Sequence, residues 1–195
     1  MFQYKVKSNF LILDFDIEAR PLSYMGGDYV TREVTAIACK FINNNSPIKC
    51  WLLGEVTAEE MFAGFLDQYN QAGMVTGHYI RGYDLPTING AITEYRFKPL
   101  SSKLTQDTYL DLVKRQGLSN SQENLGAMLG LEHPKIGMSQ QDWRDANRLT
   151  DTGIYKTRKR VIGDVEQHIE MRQKLIDTGL LGRPKMWSCV GTKMK

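Results

Sequence analysis

The residues with the clearest chemical promise lie in one stretch, Asn9-Phe-Leu-Ile-Leu-Asp-Phe-Asp-Ile-Glu-Ala-Arg-Pro21, where an apolar run ends in alternating acids. Leu11, Leu13, Phe15 and Ile17 share one parity and Ile12, Asp14, Asp16 and Glu18 the other, the period of two that marks a strand. Asp16 and Glu18 therefore leave the strand on the same face. Two carboxylates so placed repel each other and lose hydration, and a divalent cation is the simplest compensation. A lone D-x-E is a short pattern, and acids at a strand end that merely face water are the plain alternative.

The elements that position this pair follow from the rest of the chain. Val34 to Ile42 and Ile48 to Leu53 read as two further strands, and the short turn cluster Asn43-Asn-Asn-Ser-Pro47 between them favours an antiparallel meander. Thr57 with Glu59-Glu60 opens a helix whose Met61, Phe62, Phe65, Leu66 and Tyr69 recur at helical spacing. Met74 to Tyr79 makes a fourth strand, and Asp84-Leu-Pro86 opens a second helix with proline in its first turn. Lys103 to Thr108 is a fifth strand feeding a helical segment from Tyr109 to Lys114. Ser121 to Leu129, Ser139 to Arg148 and Lys156 to Thr178 are further helices, the last with Ile162, Val165, Ile169 and Ile176 as its apolar stripe. This order predicts an α/β mixed five-stranded sheet, three antiparallel strands and then parallel ones, flanked by helices.

The 195 residues are 42% hydrophobic and 24% charged, which suits one domain over 1–195, with a core from about 8 to 180 and a basic tail over 181–195. The net charge of +3 says little about partners. Its distribution says more, because Lys156-Thr-Arg-Lys-Arg160 and Lys114-Arg115 concentrate cations that could meet phosphates or simply face water. Cys39, Cys50 and Cys189 are odd in number and lack C-x-x-C spacing, pointing to reduced thiols in a cytoplasmic setting. The N-terminal apolar run is short and broken by acids, so neither a signal peptide nor a membrane span is expected.

At Gly77-His-Tyr-Ile-Arg-Gly-Tyr-Asp-Leu-Pro86 the chain resembles the second motif of the DEDD, DnaQ-like 3′-5′ exonucleases of the ribonuclease H-like superfamily, where aromatic-Asp-Leu-Pro follows a strand end. Asp16-Ile-Glu18 is similar to their first motif. Thr105-Gln-Asp-Thr108 and Leu125-Gly-Ala-Met-Leu-Gly-Leu131 resemble the family's D-T strand end and its L-G-L helix. The similarity runs through residues 10 to 178 in the family's order. It implies a ribonuclease H-like fold and phosphodiester hydrolysis with two divalent ions, Mg²⁺ or Mn²⁺, about 3.5–4 Å apart. By matching position, Asp16 and Glu18 would hold the ions and Asp84 would approach from the second helix, where an N-cap role is the alternative.

The last motif departs from the family's Y-x-x-x-D. The run Val161-Ile-Gly-Asp-Val-Glu-Gln-His-Ile169 puts Asp164 in the tyrosine position and His168 in the aspartate position, four apart and so on one helix face. Three readings stay open. His168 ligates a metal while Asp164 adds a carboxylate, which would favour Mn²⁺; or His168 is the general base; or the fourth ligand is lost and the domain binds nucleic acid with little turnover. Arg20, Arg81, Lys156 and Arg158 are candidates for phosphate contacts and Tyr83, with Phe15 and Tyr79, for base stacking. Tyr79 stands where the family often has Asn. The implied partners are single-stranded 3′ ends of DNA or RNA and a polymerase or other replication protein, met in trans because no polymerase motif accompanies the domain.

Overall fold

A computed structural model describes residues 10–22, 32–113 and 118–189. The Lys114-Arg115 pair and the end of the basic tail lie outside these residues. Around the candidate pair, β1 (Ile12–Arg20) sits in the middle of a six-stranded sheet with β2 (Glu33–Phe41), β3 (Lys49–Leu52), β4 (Met74–Gly77), β5 (Lys103–Asp107) and β6 (Lys185–Trp187). The order is β3-β2-β1-β4-β5-β6. The meander β1–β2–β3 is antiparallel and β1–β4–β5 is parallel, as the short and long connections require. The sixth strand goes beyond the five expected. It places Lys185 to Trp187, part of the anticipated tail, antiparallel against Thr105 to Lys103. The result is an α/β architecture compatible with a ribonuclease H-like fold.

The helices are α1 (Ala58–Gln71), α2 (Asp84–Glu94), α3 (Gln122–Leu129), α4 (Gln140–Asn147) and α5 (Asp151–Asp177). Thr57 and Glu60 form a reciprocal capping box at the start of α1, and Gly130, at φ 59°, ends α3 in the left-handed region that glycine enters without strain. The segment from Tyr109 onward is a turn rather than the expected helix. The Asp107 carboxylate accepts the N–H groups of Tyr109 and Leu110, each at 3.0 Å, and fixes the chain in that turn. The last helix also begins earlier than the periodicity indicates, because Thr150 caps it and Gly153 lets its first turn press on the backbone of Asp145.

Each face of the sheet carries a core, and a third, smaller cluster of Leu112, Leu125, Met171 and Leu175 joins α3 to the end of α5. Leu13, Phe15 and Ile17 pack with Met61, Phe62 and Phe65 of α1 and Ile88 and Ile92 of α2. On the other face, Ala36 and Ala38 are small enough for Val161 and Val165 of α5 to approach. The even-numbered acids of β1 consequently look toward α5. A bulge disturbs this alternation: Glu18 pairs with Ala36 but Ala19 with Val34, leaving Thr35 extra on β2 beside the acidic pair. No helix among the described residues is long and apolar enough to cross a membrane.

Candidate metal centre

Helix α5 runs across β1 so that Arg160, Asp164 and His168 meet Glu18, Asp16 and Asp14 as three successive rungs. Residues four apart on a helix are separated by about 6 Å along its axis, and residues two apart on a strand by about 6.6 Å, so the two repeats stay in step over this distance. At one end the Arg160 guanidinium pairs with the Glu18 carboxylate. At the other, His168 Nδ1 lies 2.6 Å from Asp14 Oδ2. The middle rung differs in kind. Asp16, Glu18 and Asp164 bring oxygens within 4.8 Å of one another, and Asp16 faces Asp164 as one acid against another.

The electrostatics follow from this crowding. Burial, and then the fields of Asp84, Asp164 and Glu18, push the Asp16 carboxyl well above the usual carboxylate range. Burial also raises Glu18 and Asp164, with Arg160 opposing the rise in both and Lys135 adding a second opposing field. Asp84 is 3% exposed and sits at the edge of β1. It is pushed up to about 8 by burial, against the pull of backbone N–H groups from Ile17 and from Asp84 itself. Asp84 thus caps β1 where β4 has ended, and it does so facing the acidic rung rather than solvent.

This donor set fits a hard divalent cation. Its three groups, Asp16, Glu18 and Asp164, are all carboxylates from β1 and α5, and the buried Asp164 Oδ1 has no hydrogen-bond partner; Asp84 acts on Asp16 through its field but is not in this cluster. An unsatisfied buried carboxylate oxygen is costly, and a cation would satisfy it directly.

The structure corrects the expectation for His168. Both ring nitrogens are engaged, Nδ1 with Asp14 and Nε2 with Thr108 Oγ1 at 3.0 Å, so no lone pair remains for an ion or a water. Thr108 in turn lies 2.9 Å from His78 Nδ1, and the chain Asp14–His168–Thr108–His78 ties β1 to the ends of β4 and β5. Asp164 is the residue that reaches Asp16.

The expected phosphate ligands form ion pairs within the domain. Arg20 pairs with Glu33, Lys156 with Asp142 and Arg158 with Glu55. Arg81 donates to Asp111 at 2.6 Å with little exposure, which makes it a brace for the β5 turn. Tyr83 accepts from Arg32 at 3.1 Å while its ring packs on the core. Phe15 is buried in the core, so stacking on a base is excluded for it. Tyr79 has φ 64°, a region where Asn is tolerated better than most residues, and its backbone N–H is held by Asp107. A cavity of about 220 Å³ opens beside Glu18, lined by Arg20, Thr35, Trp143, Asn147 and Thr157 among others. Trp143 and Lys135 carry no motif, and sequence reasoning passed over both.

No family model matches the chain, and no curated protein matches it. Among solved structures it is similar to the family B DNA polymerase from the hyperthermophilic archaeon Pyrobaculum calidifontis, with a TM-score of 0.64 and 13% identity over 87% of this chain. The chain spans 25% of that polymerase, and at such identity the likeness establishes the fold alone.

Proposed function

We propose that this domain is a 3′-5′ exonuclease that hydrolyses phosphodiester bonds at single-stranded DNA or RNA ends, using two divalent ions. The observation that carries the reading is the middle rung, where Asp16 and Asp164 confront each other as acid against acid while the flanking rungs pair an acid with a base. Asp16, Glu18, Asp164 and Asp84 would hold the ions. When bound, such ions lower the pKa of an attacking water and stabilise the leaving oxygen. An oxygen-only set suits Mg²⁺ as well as Mn²⁺, so the Mn²⁺ preference expected from a histidine ligand loses its basis. The chain's own residues supply position: Asp84 fixes the edge of β1 through Ile17, the His168 chain fixes the strand ends, and Trp143 gives the neighbouring cavity an aromatic wall. A general base is not required of any side chain here. Action in trans beside a polymerase, in the cytoplasm, belongs to the same proposal.

The Arg160–Glu18 pair favours a second reading, a nucleic-acid-binding module of the same fold in which an arginine has taken the place of an ion. One experiment separates them. Protein incubated with Mg²⁺ or Mn²⁺ shortens a 5′-labelled single strand to a ladder, and Asp16→Asn abolishes the shortening. Intact strand at high protein concentration with both metals, together with retained binding, would refute the nuclease reading.

A further inference from the structure

We propose that Arg160 is a built-in counter-ion: it holds Glu18 and Asp164 in the metal-free protein, yields them to an incoming divalent ion, and then presents its freed donors to a phosphate of the bound strand. The inference rests on the nuclease reading and adds a residue that the family pattern does not contain.

The guanidinium is held at four points. Its Nε faces Glu18 Oε1, and one terminal nitrogen lies 3.8 Å from Asp164 Oδ2. The other terminal nitrogen donates to the Ile136 carbonyl at 2.6 Å, and the whole group lies 5.2 Å from the centre of the Trp143 ring. Two of these contacts are to the carboxylates and two are not. An ion that takes Glu18 and Asp164 therefore breaks only half of the set, and the side chain stays at the rim, tethered by Ile136 and Trp143.

The chemistry of the group decides what it does next. Arginine stays protonated at any working pH, so a residue in this place cannot accept a proton from water as a tyrosinate or a neutral imidazole can. What it has is a planar fork of N–H donors. The two edges turned toward Glu18 and Asp164 are the ones released by exchange, and paired donors of this geometry match the oxygens of a phosphodiester. The neighbouring cavity does not include Arg160 in its lining but shares with it Glu18 and Trp143, the two side chains that the guanidinium touches, so a phosphate approaching along that wall comes next to the released donors. A cation competing for the same carboxylates also predicts weaker metal binding than the carboxylates alone would give.

The test uses the full chain and Mn²⁺ titration followed by electron paramagnetic resonance, for the wild type and Arg160→Gln. The glutamine side chain is neutral and can still donate to the Ile136 carbonyl. The variant is expected to bind Mn²⁺ at least about tenfold more tightly, since no fixed charge opposes the ion. Its affinity for an unlabelled single strand is expected to fall only when metal is present, because in the metal-free protein the guanidinium is occupied. Equal or weaker Mn²⁺ affinity in the variant overturns the inference. If the wild type takes up Mn²⁺ more weakly than the variant yet leaves a 5′-labelled strand intact, the nuclease reading fails and the counter-ion inference stands; if the wild type takes up no Mn²⁺, Arg160 does not yield its carboxylates and both fail. Should Arg160→Gln not fold, ¹⁵N spectra of the wild type decide: the Arg160 Nε–H signal, assigned with Arg160→Lys, shifts on adding Mg²⁺ if exchange occurs, and an unmoved signal refutes it.

Discussion

Replacing Asp84 by Asn tests whether the acidic rung is strained by its own charge. In the native protein Asp84 is pushed up to about 8 from the ordinary 3.8, chiefly by burial. Between those values the folded state retains a proton that the unfolded chain has released, so stability falls as pH rises through the window. About 4 pH units at about 1.4 kcal/mol each give on the order of 5 kcal/mol lost by pH 8 in metal-free protein. His78 works in the opposite sense at lower pH, because burial lowers it to about 3 from 6.5 and its folded form gains stability as pH rises between them. The difference between Asp84→Asn and wild type removes that contribution. Asn keeps a carbonyl to accept the Ile17 N–H and carries no charge. Urea unfolding in the presence of chelator from pH 4 to 8 is expected to show the variant gaining on the wild type steadily, by several kcal/mol at the upper end, and added Mn²⁺ is expected to erase the wild-type deficit. A difference that stays constant with pH would refute the account of the site as uncompensated charge.

Further outcomes follow from the same geometry. His168→Ala leaves Asp14 buried without its partner and is expected to cost about 3 kcal/mol in urea unfolding while Mn²⁺ affinity stays unchanged; lost metal binding would restore histidine to the ligand set. Trp143→Ala, which strips the aromatic wall from the cavity beside Glu18, is expected to weaken single-strand binding about tenfold in a fluorescence titration. Gly153→Ala puts a methyl 2.2 Å from the carbonyl of Asp145, so despite alanine's better helix propensity it is expected to destabilise the α4–α5 contact by about 1–3 kcal/mol, read from the urea midpoint.

The β1 alternation, the helix start at Thr57 and most of the order of strands and helices can be read directly from the chain, because each leaves a local periodic or capping signal. The phase of α5 cannot. Its expected stripe is Ile162, Val165, Ile169 and Ile176, whereas from Val161 onward the buried residues are Val161, Gly163, Asp164, Val165, Gln167, His168, Met171 and Leu175. Three polar residues among these mask the buried face from any reading that follows apolar spacing. The same mask misplaces the last motif, since His168 looks free until Asp14 and Thr108 are seen to enclose it. The bulge at Thr35 and the sixth strand depend on distant pairing and leave no local trace. Arg20, Arg81, Lys156 and Arg158 are candidates by charge alone, and charge does not reveal an intramolecular partner.

One helix supplies the facing member of all three rungs, Arg160, Asp164 and His168, and this couples their fates. Sliding α5 by one residue, about 1.5 Å, would offset all three pairings by the same quarter of their spacing, and a one-residue deletion within it would turn the downstream partners by about 100°. Loss of the ion site, of its arginine stopper and of the histidine anchor would then arrive together, as one event, with the sheet itself untouched.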